Sequence, residues 1–258
     1  IYYRSGNGIQ NPRWTVDNSK VSQFVNRVYG NVNLSYEIID DLNVSYVYGF
    51  DAYTEQNTNG QNKGGVDGDV TGQFSTTDVI NQVYDHNLRL SYSKTINDSF
   101  GFQGTIGATS RRNVYGQVRT QSTNQLAFGV LKHFNFVNQS ANSFDSELNI
   151  FGVFADVTID YNNYLFLNVQ GRNDQASNLE SANNSLFYPG GSIAFVATDA
   201  FPVIKSDILS YAKFRVGYGT SAGFGSTYNT RSTLGLSSRA FVDGSGVVVP
   251  SNFVDNKL

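Results

Sequence analysis

The chain has 258 residues, no Cys, no Met, one Trp and a formal net charge of −3. Without Cys there is no disulfide framework, thiolate metal site or Cys nucleophile, and so small a charge suits neither a nucleic-acid surface nor a polybasic membrane patch. Charged residues make up only 15%, while Gly (25), Tyr (16) and Phe (19) are frequent; soluble domains carry roughly a quarter charged residues.

In chain order, residues 1–20 read as loop, with Gly6, Gly8, the Asn11-Pro12 step and Trp14. Residues 24–53 form the clearest unit. Val28, Gly30, Val32, Leu34, Tyr36 and Ile38 fall on one side, and Arg27, Tyr29, Asn31, Asn33, Ser35 and Glu37 on the other. After Asp40-Asp41 the alternation restarts, with Leu42, Val44, Tyr46, Tyr48 and Phe50 opposite Asn43, Ser45, Gly49 and Asp51. Successive strand residues point to opposite faces, so period two predicts a strand. Two such runs around a tight turn predict an antiparallel hairpin.

Residues 54–82 read as a long polar loop. Within it, Asp67, Asp69, Thr71 and Asp78 place oxygen donors at positions 1, 3, 5 and 12 of an EF-hand-like loop, with Gly72 at position 6. Ca²⁺ takes six to eight hard oxygens, and the Gly permits the sharp turn. Thr at 5 and Asp at 12 depart from that pattern, flanking helices are lacking, and a solvated Asp/Gly/Thr loop yields the same spacing. No other cofactor is indicated.

A second hairpin starts near Val83. Tyr84, His86, Leu88, Leu90 and Tyr92 alternate with Asp85, Asn87, Arg89, Ser91 and Ser93, then a turn at 95–98 leads into Phe100, Phe102, Gly104, Ile106 and Ala108. Residues 110–146 carry a weaker pattern, with strand extensions expected at 114–118 and 126–130. The third hairpin runs from Phe151 to Tyr161, turns at Asn162-Asn163, and continues through Leu165, Leu167, Val169 and Gly171. A polar loop is expected over about 174–184. The fourth pair is 192–197 and 211–219, where Lys213, Arg215, Gly217 and Gly219 oppose Ala212, Phe214, Val216 and Tyr218. A further strand is expected near 233–242.

No apolar run approaches the roughly 20 residues of a transmembrane helix. Membrane strands announce themselves by alternation instead. Connections that alternate between short and long, strands of about ten residues and an uncharged apolar face fit an outer-membrane barrel. Tyr36 and Tyr46 fall near a short turn, where an aromatic girdle would lie. A soluble β-sandwich alternates in the same way, so periodicity leaves lipid and core as alternatives for the apolar face.

Neither His86 nor His133 shows metal-ligand spacing or a partner legible in sequence, so no enzyme chemistry is expected. On the membrane reading, Arg27, Asn31, Asn33, Asp51, Arg89, Gln103, Gln170, Arg172 and Arg215 line the polar interior. The strongest substrate-contact candidates are Arg27, Asn31, Asp51, Arg89, Arg172 and Arg215. Plug packing or simple solvation is the ordinary explanation for any one of them. Trp14 with nearby amides would suit sugar stacking or ordinary loop packing.

Several segments carry a resemblance. They are Asn11-Pro12-Arg13-Trp14, the run from Asn26 to Tyr36, Phe154-Ala155-Asp156-Val157, the run from Tyr161 to Phe166, Arg172-Asn173-Asp174, the run from Phe187 to Ser192, and that from Leu209 to Gly219. In this order they resemble the barrel of SusC-like TonB-dependent outer-membrane transporters of Bacteroidetes. The resemblance implies an all-β fold: about eight strands from the middle of a 22-stranded type of barrel, with residues 1–258 all barrel and no plug domain. It further implies import of an oligosaccharide or peptide across the bacterial outer membrane. Implied partners are TonB, a SusD-like surface lipoprotein and membrane lipid, with no nucleic acid. The remaining alternatives are a structural or adhesive cell-surface β-protein and a small self-contained outer-membrane barrel. With no initiating Met, the chain reads as processed or as a piece of something longer.

Overall fold

The computed structural model describes residues 9–66, 70–180 and 183–225, together with the backbone of 235–237 and 246–248. Its main element is one antiparallel sheet of eight strands, paired in chain order. They are β1 (Ser19–Ile39), β2 (Leu42–Gln61), β3 (Gln73–Asn97), β4 (Phe100–Gln125), β5 (Phe136–Tyr161), β6 (Leu165–Ala176), β7 (Ser185–Val196) and β8 (Lys213–Gly219). A separate two-stranded ladder joins β9 (Gly235–Ser237) to β10 (Gly246–Val248). Most of the strand expected at 233–242 lies outside the described residues.

The chain divides into two compact units. One comprises the described residues up to Gly30, with Phe50–Val83 and Asn113–Glu147. It holds the β2–β3 and β4–β5 connections and a small core of Phe74, Val79 and Phe136. Residues 12–18, expected to be loop, form the short helix α1 (Pro12–Asn18). Asn11 Oδ1 accepts from Arg13 N–H at 2.9 Å and Pro12 opens the first turn, a strong local start signal. The loop expected at 54–82 shrinks to 62–72, because β2 and β3 both extend into it. Likewise β4 continues through 114–118 to Gln125, whereas 126–130 is loop rather than strand. These extensions are rich in Asn, Gln, Thr and Ser. Backbone ladders hold such residues without an apolar face, so hydropathy alternation does not reveal them. Strands of 20 to 26 residues in β1–β5 far exceed the roughly ten that a tilted crossing needs.

The other unit comprises Asn31–Gly49, Tyr84–Arg112 and the described residues from Leu148 on. It contains the short turns. Asn162 and Asn163 take φ of 49° and 58°, and Tyr164 N–H bonds Tyr161 C=O at 3.1 Å, as in a type I′ turn. β6 runs on to Ala176, two residues past the expected start of the loop at 174. The alternation holds through the register: Val157 faces Val169, Ile159 faces Leu167, and Ile193 faces both Leu167 and Val216. The apolar face is exposed. Val32, Leu34, Val169 and Val216 are 52%, 61%, 57% and 78% exposed. Near the turns this face carries rings in contact. Tyr46 and Tyr48 flank His86, Tyr92 meets Phe102, and Phe100, Tyr161, Tyr164, Phe195 and Phe201 form a chain with centroids 4.9–6.3 Å apart. Tyr46 belongs to this cluster of rings, whereas none of these contacts includes Tyr36. His86 also has a hydroxyl partner that the sequence did not reveal, Tyr46 Oη at 2.7 Å from Nδ1.

Candidate functional site

The polar face of the second unit contains a built site centred on Arg172. Strand register sets Arg172 opposite Phe154 on β5 and Tyr188 on β7, and sets Asp174 opposite Gly152. Arg172 Nε donates to Asp174 at 2.9 Å and Nη2 donates to Thr109 Oγ1 at 2.8 Å. The guanidinium lies 5.9 Å from the centroid of the Phe154 ring, within cation–π range. Asp174 is 7% exposed; a carboxylate so deep needs its cation beside it. The packing explains a glycine: a Cβ at Gly152 would stand 2.0 Å from Asp174 Oδ1 and 2.6 Å from Arg172 Nη2. Only a residue without Cβ leaves the ion pair its place.

Around this pair opens a cavity of about 520 Å³. Asn87, Arg89, Asp156, Gln170 and Tyr188 supply further polar groups, and 219–222 supply one rim. Thr220 holds that rim by donating its N–H to Pro189 C=O at 3.1 Å. Arg89 Nε donates to Asn87 Oδ1 at 2.9 Å. A second cavity of about 350 Å³ shares Asp156 and Gln170 and adds Thr158, Asn168, Lys213 and Arg215. Asn168 Nδ2 is within 3.1 Å of both Asp156 oxygens and 2.9 Å from Thr158 Oγ1. Arg215 Nη2 donates to Ser192 Oγ at 3.2 Å, and Lys213 Nζ stands 5.4 Å over the Phe166 ring. Guanidinium forks, amides, hydroxyls and carboxylates in one strip match the donors and acceptors of a polar solute.

The candidates named from sequence divide accordingly. Arg89 and Arg172 meet in the larger cavity and Arg215 lines the smaller one. Asn31 makes a local bond, accepting from Asn33 Nδ2 at 2.9 Å. Arg27 and Asp51 belong to the other unit, where they form a two-pronged ion pair across β1 and β2. Thr109, Phe154, Asp156, Asn168, Asp174, Tyr188 and Lys213 were not singled out. Asp174 was legible: Arg172-x-Asp174 puts both on one strand face, but the expected loop start at 174 obscured it. The others need the cross-strand register.

The first unit holds a second polar assembly, among the long connections. Asn62, Gln125 and Asn135 are buried and satisfied by one another and by loop backbone. Gln125 Nε2 donates to Asn62 Oδ1 at 2.9 Å, and Asn135 Nδ2 donates to Ala127 and Val130 C=O. His133 bridges two strands, with Nε2 3.0 Å from Thr76 Oγ1 and Nδ1 2.8 Å from Ser122 Oγ. Its ring packs on Phe74 at 4.7 Å. Desolvation holds its pKa below the ordinary histidine value, and Asp78 opposes this in part. Trp14 packs on Gly65, where a Cβ would come within 3.1 Å of the indole. It also lines an open cleft of about 730 Å³ with Lys63, Asn124 and Phe128. Of the calcium-loop candidates, Asp67 and Asp69 lie outside the described residues. Asp78 sits on β3 and accepts from Gln56 Nε2 at 2.9 Å; Thr71 C=O accepts from Gln125 N–H at 2.9 Å.

No family model matches the chain. Over 232 residues it is 25% identical to TonB-dependent receptor P3 of Formosa agariphila, a match covering 84% of this chain and 22% of that protein. Its fold is similar to a chain in the RagAB peptide transporter, with a TM-score of 0.88, 14% identity and coverage of 99% of this chain and 29% of the other. The RagAB peptide importer gives a TM-score of 0.81 in both the open-open and the closed-closed state. There the identities are 16% and 14%, over 99% and 94% of this chain and 29% and 27% of the others. The chain thus spans less than a third of the length of each. The resemblance read from the motifs holds: the chain is similar to a section of a TonB-dependent receptor, and its all-β antiparallel sheet has the fold of a section of the RagAB chain.

Proposed function

We propose that this chain is one section of the barrel of a SusC-like TonB-dependent importer, supplying wall, lumen lining and outer-loop platform for uptake of an oligosaccharide or a peptide. The observation that carries the reading is the two-faced sheet. Its apolar side is exposed and carries aromatic rings near the short turns, and its polar side gathers Arg89, Arg172, Asp156 and Asn168 around two cavities that share Asp156 and Gln170. Hydrocarbon accepts the first face only if every backbone group is paired. β1 and β8 end the strand order, so on this reading further strands of the same barrel pair with them. A plug gated through TonB fills the lumen, and a SusD-like surface lipoprotein delivers cargo to the outer loops. The chain's residues bind and guide rather than react, so no catalytic role is assigned.

Uptake tests this. Deleting the gene in its source bacterium should abolish growth on either large oligosaccharides or peptides as sole nutrient, leaving growth on the monomers intact. Labelled cargo should then stay outside the cells. Undiminished uptake of both classes in the deletion strain would overturn the reading.

A further inference from the structure

The connection between β7 and β8 is unlike the others at its end of the sheet. β1 to β2, β3 to β4 and β5 to β6 cross in tight turns, tied side by side by Ser93 N–H to Asp41 C=O and Asn162 N–H to Ser99 C=O. The fourth crossing takes residues 197–212. It forms the short helix α2 (Ala197–Ala200) and a 3₁₀ turn at Pro202–Ile204. It is fastened from beneath: Thr198 is fully buried, and its Oγ1 accepts from Ala212 N–H at 3.3 Å. Above this anchor the connection presents Phe201, Val203, Ile204, Ile208, Leu209 and Tyr211, with Val203 90% and Ile208 98% exposed.

We infer that this connection is a membrane-interface anchor, seated in the headgroup–acyl boundary of the periplasmic leaflet. The occupant follows from continuity with the wall. Phe201 packs edge-on against Phe195 at 6.3 Å, Phe195 against Tyr164, and Tyr164 against Tyr161. The aromatic band of the lipid face therefore runs onto the connection without a break. Part of its backbone is already paired, as a poorly hydrated site requires. The N–H groups of Phe201, Ile204 and Lys205 donate to the C=O groups of Ala197, Phe201 and Pro202, Ser206 N–H donates to Leu209 C=O, and Leu209 N–H donates to Ser206 Oγ. Of the three charged residues of the connection, Lys205 and Asp199 pair at 2.9 Å, and Asp207 is exposed. Apolar side chains with a paired or snorkelling charge suit a depth of about 5–10 Å into the interface.

The test rests on the barrel-wall reading and is built to separate the two. The chain has no Cys, so Val203→Cys and Ile208→Cys each accept one environment-sensitive fluorophore once any cysteine elsewhere in the protein is replaced. Val169→Cys on the wall serves as control. The complete transporter is reconstituted in phosphatidylethanolamine–phosphatidylglycerol vesicles containing lipids with a nitroxide either near the headgroup or deep in the chain. Labels at 203 and 208 should emit to the blue and be quenched more by the shallow nitroxide, and the label at 169 more by the deep one. If 169 is quenched while 203 and 208 are quenched only by aqueous iodide, the anchor is wrong and the wall stands. Blue emission at 203 and 208 that neither quencher touches assigns them to a protein partner and likewise overturns the anchor. If 169 escapes lipid quenching as well, the wall reading fails.

Discussion

At the scale of single residues, His133 shows how partial burial turns an unremarkable side chain into a pH-sensitive strut. Its two ring nitrogens reach Thr76 and Ser122 and its face covers Phe74. Desolvation lowers its pKa, so the folded state prefers neutral imidazole and the unfolded chain binds the proton more readily. Stability from this group is therefore fully present above the ordinary histidine pKa of about 6.5 and is lost as pH falls through the lowered value. Amide hydrogen exchange over 122–136, corrected for intrinsic rates, should speed up between about pH 7 and 5. His133→Gln keeps a neutral donor and acceptor at every pH and should flatten that dependence. The same acid response in the Gln variant would show that another group is responsible.

At the scale of elements, the Asn162-Asn163 turn fixes the register of β5 with β6 and so the meeting of Phe154 with Arg172. Asn tolerates positive φ; β-branched residues do not. Replacing both Asn by Val should cost roughly 1–2 kcal/mol per residue, whereas Asn163→Gly should be neutral or mildly stabilising. The urea midpoint for refolding into detergent micelles reads this out. An unshifted midpoint in the double Val variant would mean that the turn follows the strands rather than setting them. The same scale shows where strand boundaries were missed. At 54–61 the chain reads Thr-Glu-Gln-Asn-Thr-Asn-Gly-Gln and still forms strand, because ladder hydrogen bonds come from the backbone whatever the side chains are.

At the scale of the molecule, the two faces should respond oppositely to charge. Val169→Arg puts a guanidinium on the exposed apolar face and should cost about 2–4 kcal/mol of folding free energy in a bilayer if it lies near mid-depth. Gln170→Arg, one residue on and on the cavity side, should cost far less. Folding yield into lipid vesicles distinguishes them. Equal tolerance would return the sheet to the soluble or adhesive reading, in which the outward face meets water or another protein.

The sequence alone determined which side chains share a face, where the tight turns fall and that no apolar run here is long enough for a helical span. Alternation and turn chemistry act over neighbouring residues, so one chain read in order is enough to reveal them. Tertiary structure decided how far the strands run, that His133 is half-buried between Thr76 and Ser122, and that Thr109, Phe154 and Asp174 close on Arg172. Thr109 and Asp174 lie 65 positions apart in the chain. Only ladder register, with a glycine at 152 leaving room for the ion pair, brings them to hydrogen-bonding or van der Waals range.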